Sequence, residues 1–107
     1  MAWFILLLAG LLEIVWAYSM KLSEGFSRPG PAAVTIVAMI ASFGLLSMAM
    51  RTLPLGTAYT VWTGIGALGA FVLGIVLLGE QAGAGRIFAA ALIVTGLVVM
   101  KLSTPSA

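Results

Sequence analysis

The chain has 107 residues, 63% of them hydrophobic and 7% charged, with five basic and three acidic side chains and a mean hydropathy of +1.23. A soluble domain carries about 25% charged residues, so too few polar groups exist to cover a water-facing surface, and the composition is that of an integral membrane protein. Cys, His, Asp and Asn are absent, which excludes disulfides, thiolate or imidazole metal sites, histidine-assisted nucleophilic catalysis and histidine proton relays.

The first apolar run extends from Ala2 to Met20, interrupted only by Glu13. It has no basic segment before it and no cleavage-site pattern, so no removable signal peptide is expected. Lys21 to Pro31 (KLSEGFSRPGP) reads as a loop from its charges, Gly and Pro. A second uncharged run ends at Met50, and Arg51 to Gly56 forms a short Pro/Gly connection. The glycine-rich third run reaches Gly79, and GEQAGAGR leads to Arg86. The last uncharged run, 87–100, would span only about 21 Å at about 1.5 Å per residue. Its helix therefore starts before Arg86, with Arg86 and Lys101 extending to the interfaces. The runs are continuous rather than alternating, which excludes a β-barrel. The expected fold is a single all-α membrane domain over 1–107, with four short transmembrane helices at about 2–20, 31–50, 56–79 and 84–102.

With four spans, Arg51 and Lys101 share one side of the membrane, and Lys21, Arg28 and Arg86 the other. This near balance barely sets orientation under the positive-inside rule; it allows insertion both ways as well as one weakly biased topology. The basic residues are scattered singly, so no nucleic-acid partner is expected. Four short helices scarcely enclose a solute pathway, so transport would require an oligomer. Small residues recur at close-packing spacing: Gly66, Ala70 and Gly74 on helix 3, and Gly85, Ala89 and Gly96 on helix 4.

A charge at bilayer depth costs roughly 2.5–3.5 kcal/mol on insertion scales, and Glu13 is the residue that carries one. Gly10 and Ala17 share its helical face and leave clearance, and Trp16 lies one turn on. Tyr59, Trp62 and Gly66 repeat the pattern on helix 3, and Ser42 supplies a hydroxyl from helix 2. Trp3 reads as an interfacial anchor, whereas Trp16 and Trp62 lie too deep for that role and read as pocket residues. A carboxylate among aromatic faces, with no buried cation beside it, suits a cationic ligand. Desolvated, it is costly to leave ionised and empty, so it holds either a proton or a cation, and that exclusivity is the basis of proton-coupled antiport. The bland alternative is a protonated glutamate acting as packing glue. The run Gly64 to Ala70 serves either as a bend or as a close-packing surface.

Taken together, GLLEIVWA (10–17), KLSEGFSR (21–28) and LPLGTAYTVWTGIG (53–66) resemble the small multidrug resistance family over essentially the whole chain. The resemblance implies an antiparallel homodimer, often inserted in both orientations, in which Glu13 binds protons and cationic substrate alternately. Trp16 after E-I-V, and AYTVWTGIGALGA, resemble that family's guanidinium exporter branch; exporters of polyaromatic cations usually have a small residue where Trp16 stands. By this resemblance Trp16, Ser42, Tyr59 and Trp62 line the pocket and hydrogen-bond the glutamates, Gly64 and Gly66 belong to a hinge, and Ala89 and Gly96 lie on the dimerisation helix. Ala89 stands where a glycine is often found. The implied partners are guanidinium-type cations, protons, a second copy of the chain and the inner-membrane bilayer, with no cofactor. The alternatives are a multidrug exporter of quaternary ammonium cations and, in another class, a small channel or a non-transporting subunit.

Overall fold

In a bilayer every backbone N–H and C=O must be satisfied within its own segment, which leaves the helix as the default for a long apolar run. The computed structural model, described over residues 1–104, has four: α1 (Ala2–Leu22), α2 (Pro29–Ala49), α3 (Leu55–Leu78) and α4 (Ala84–Ser103). Each is long and apolar enough to cross a membrane, and there is no strand among the described residues.

Local chemistry sets the helix ends. α1 continues past the apolar run to Leu22, placing Lys21 in its last turn, where a cation favours the negative end of the helix dipole. Ser23 then caps it: its Oγ donates to the Met20 carbonyl at 2.7 Å and accepts the Phe26 N–H at 3.1 Å. Glu24, Gly25 and Phe26 take positive φ values of 50°, 76° and 67° to reverse the chain. α2 opens on Pro29; proline suits a first helical turn because its missing N–H would find no partner there. Pro54, at the cap of α3, is extended. α4 begins at Ala84, two residues before Arg86, so it gains the length that its uncharged run lacks.

α1 is the central element. It packs along both α2 and α3, whereas the α4 backbone approaches only that of α3, with Lys101 reaching over the Trp3 ring of α1, and α2 barely meets α3. The Cα atoms span 42 × 34 × 16 Å, a flat arrangement. The core is small and lies toward the N-terminal end of α1: Leu6 and Ala9, Leu46 and Ala49 from α2, Leu53 from the second loop, and Ala58, Val61 and Trp62 from α3. α4 contributes no buried residue. The chain is therefore a half-closed slab whose polar site lies in the α1–α3 seam rather than inside an enclosed bundle.

Candidate functional site in the seam between α1 and α3

Two helices approach closely only where one of them lacks side-chain volume. Along this seam the required gaps alternate between partners. Gly10 of α1 accommodates Ile65, so that a Cβ there would lie 2.7 Å from the Ile65 methyl. Gly66 of α3 accommodates the Glu13 carboxyl, and Gly69 accommodates Ile14. Glu13 therefore reaches across the seam and lies against bare α3 backbone at Gly66.

A second polar unit lies beside it. Ser42 of α2 is fully buried; its Oγ donates to the Ala9 carbonyl at 2.7 Å and accepts the Trp62 indole N–H at 3.0 Å. One hydroxyl thus ties three helices together and fixes the Trp62 ring. Aromatic contacts extend from that ring. Tyr59 lies 5.6 Å away, Phe43 of α2 lies 5.7 Å away, and Trp16 meets Phe43 edge-on at 6.5 Å. Such tilted and edge-on geometries place the positive rim of one ring near the negative face of another.

The structure brings Gly10, Glu13 and Trp16 together on α1, with Ser42, Tyr59, Trp62 and Gly66 around them. Trp62 donates to Ser42 and Ser42 to the Ala9 carbonyl, so among the described residues neither bonds Glu13. Tyr59 remains 53% exposed and reaches the group only through Trp62. By contrast, Glu13 Oε1 and Trp16 Nε1 are both buried and without a hydrogen-bond partner among the described residues. A buried polar atom left unpaired is costly, and here one acceptor and one donor share that condition one turn apart on the same helix. An incoming group offering donors to the carboxylate would satisfy the first; a carboxylate or hydroxyl would satisfy the second.

Gly64 and Gly66 serve close approach in this conformation. α3 is one helix from Leu55 to Leu78; Gly64 lies under Leu97 of α4, where a Cβ would come within 2.6 Å, and Gly66 lies under Glu13. Ala89 and Gly96 are both exposed on α4. Among the described residues Gly96 has no atom within 4 Å of where a Cβ would stand, and it borders an open groove of about 470 Å³ shared with Tyr59, Thr63 and Gly64.

Phe43 was not legible as a site residue. It is one apolar residue in an apolar helix, and only its position between Trp16 and Trp62 distinguishes it. The Ala9 carbonyl was equally hidden, since any backbone position carries the same acceptor. Among the described residues no group of His, Cys, Asp and Glu could hold a metal ion.

Four membrane-length helices, three of which hold a carboxylate and an aromatic cluster, define a small multi-pass membrane protein with a polar intramembrane site. The family described as Small Multidrug Resistance protein matches residues 1–93, and the chain belongs to that family, placing it in the inner membrane. The chain is 58% identical to the guanidinium exporter of Citrobacter freundii over 104 residues, covering 97% of this chain and 99% of that one. The guanidinium exporter of Escherichia coli K12 is likewise 58% identical over 104 residues, with the same coverage. That of Salmonella typhi is 57% identical over 103 residues, covering 96% and 98%.

Proposed function

We propose that this protein exports guanidinium-type cations in exchange for protons, with Glu13 as the group that holds either one. The observation that carries this reading is the pair of unsatisfied buried atoms, Glu13 Oε1 and Trp16 Nε1, beside the aromatic cluster of Trp16, Phe43, Trp62 and Tyr59. Guanidinium is planar and presents N–H donors in a fork that fits a carboxylate, and its faces stack against aromatic rings. A site built on such hydrogen bonds rejects cations that lack donors far better than an apolar pocket does. The extent and level of identity to guanidinium exporters support the same substrate class.

The working unit is a homodimer. A single chain leaves Tyr59 exposed beside the site and buries no residue of α4, so a second copy would close the site. An antiparallel pair makes the two membrane faces equivalent, which suits the balance of Arg51 and Lys101 against Lys21, Arg28 and Arg86. Two Glu13 carboxylates facing one chamber then titrate as a coupled pair. Ala89 and Gly96 lie on the outward face of α4 that would meet the partner, and Gly64 and Gly66 are the points where α3 would bend as access alternates.

Purified protein in proteoliposomes, loaded with guanidinium and given an inward proton gradient, tests the reading. Wild type is expected to expel guanidinium and admit protons. Glu13→Gln removes the exchangeable proton and is expected to abolish the coupled flux; guanidinium moved against its gradient by this variant would refute the mechanism. Competition with a bulky tetra-alkylammonium ion separates the multidrug alternative, which predicts strong inhibition. Conductance without proton movement would indicate a channel.

A further inference from the structure

The α1–α3 seam continues beyond Glu13. The two helices rise together, with Gly10 against Ile65, Glu13 against Gly66 and Ile14 against Gly69. Above Ile14 the seam opens into a cavity of about 200 Å³ whose lining includes Ala17, Tyr18 and Lys21 of α1, Ala70 and Gly74 of α3, and Glu80 of the third loop. Ala17 is one helical turn beyond Glu13, and the Ile14 side chain seated on Gly69 separates the cavity from the Glu13 carboxyl.

Glu80 is held in this position by the chain reversal that ends α3. Gly79 takes φ 71°, a left-handed turn suited to glycine, and the Glu80 N–H donates to the Gly74 carbonyl at 2.9 Å. The side chain then folds back over the helix, and its carboxyl lies against Gly74 where a Cβ would collide with it. Gly66 and Gly74 share one face of α3, about 12 Å apart at about 1.5 Å per residue. Each of them therefore accommodates a carboxylate. One carboxylate is at membrane depth; the other is exposed at the mouth.

The other charges at this end lie outside the cavity lining. Arg28 Nη1 lies 3.6 Å from Glu24, the single ion pair within 4 Å among the described residues. Arg86 Nη1 donates to the Gln81 carbonyl at 3.1 Å. Glu80 and Lys21 are left as the two opposed charges that line the cavity. A carboxylate at the mouth of a cavity raises the local concentration of cations and their entry rate, and a lysine beside it lowers both.

We propose that Glu80 is an outer cation station, which takes a guanidinium-type cation from water and passes it along the α1–α3 seam to Glu13, with Lys21 as the opposing charge. The proposal rests on the exchange reading above. Its test compares guanidinium transport by wild type, Glu80→Gln, Glu80→Asp, Lys21→Gln and Glu13→Gln in proteoliposomes at low and high salt. Glu80→Gln is expected to raise KM about three- to tenfold at low ionic strength while the saturating rate stays near wild type. The difference shrinks in high salt, Glu80→Asp restores KM, and Lys21→Gln lowers it. An unchanged KM in Glu80→Gln, a shift independent of salt, or the same direction of change in Lys21→Gln and Glu80→Gln would overturn the proposal. A purely structural loop residue gives no opposite response in its oppositely charged neighbour. An inactive Glu13→Gln beside a wild-type Glu80→Gln removes this inference alone. An active Glu13→Gln removes the exchange reading itself.

Discussion

Replacing Gly66 with alanine separates packing from function at the Glu13 site. A Cβ at position 66 would stand 2.7 Å from Glu13 Cγ and closer still to the carboxyl, whereas carbon atoms rest at about 3.5–4.0 Å. The glutamate side chain must therefore recede by about 1 Å. Overpacking costs about 1–3 kcal/mol, and alanine returns about 1 kcal/mol of helix propensity. Because the obstructing atoms belong to the end of a flexible side chain and not to backbone, the net loss is expected near the low end, about 0–1 kcal/mol. Function responds differently. A reacting or binding group misplaced by 1 Å can cost about 100-fold, so proton-driven guanidinium flux is expected to fall by about tenfold or more. Thermal unfolding in detergent measures the first quantity, and flux in proteoliposomes the second. Wild-type flux from a folded Gly66→Ala protein would show that the placement of Glu13 against α3 does not matter.

Three other outcomes are expected. Ser42→Ala breaks the bond to the Ala9 carbonyl and leaves the buried Trp62 N–H without its acceptor; a loss of about 1–3 kcal/mol should appear in thermal unfolding, with a changed Trp fluorescence. Gly10→Ala forces a Cβ to within 2.7 Å of the Ile65 side chain, and overpacking there is expected to cost about 1–3 kcal/mol and loosen the α1–α3 seam, as read by detergent stability. Gly96→Ala meets nothing inside the protomer, so protomer stability should hold or rise by up to about 1 kcal/mol, while cross-linking between copies should fall if this α4 face is the dimer contact.

The four membrane helices, the class of protein and the singular status of Glu13 were legible in the sequence because they depend on local quantities. Run length against bilayer thickness, the scarcity of charge, and the cost of one buried carboxylate all follow from residue identity and position. The i+3 and i+4 spacing also placed Gly10, Trp16 and Ala17 around Glu13 without reference to another helix. What surrounds Glu13 from elsewhere was not legible. Ser42 and Trp62 were readable as polar groups near the site, but not as a bonded unit turned toward the Ala9 carbonyl. Phe43 carried no signal in an apolar helix.

The sequence by itself therefore determined that the chain lives in a bilayer as helices and that one carboxylate there needs either a proton or a counter-charge. Only the tertiary structure decided which backbone that carboxylate rests on, because hydropathy sets how deep a helix sits but leaves its rotation and its neighbours free. Those are fixed by where small residues allow close approach. Gly66 receives Glu13, Gly69 receives Ile14, Gly10 receives Ile65 and Gly74 receives Glu80. In sequence these glycines are alike; in the folded chain two of them hold carboxylates and two hold isoleucines.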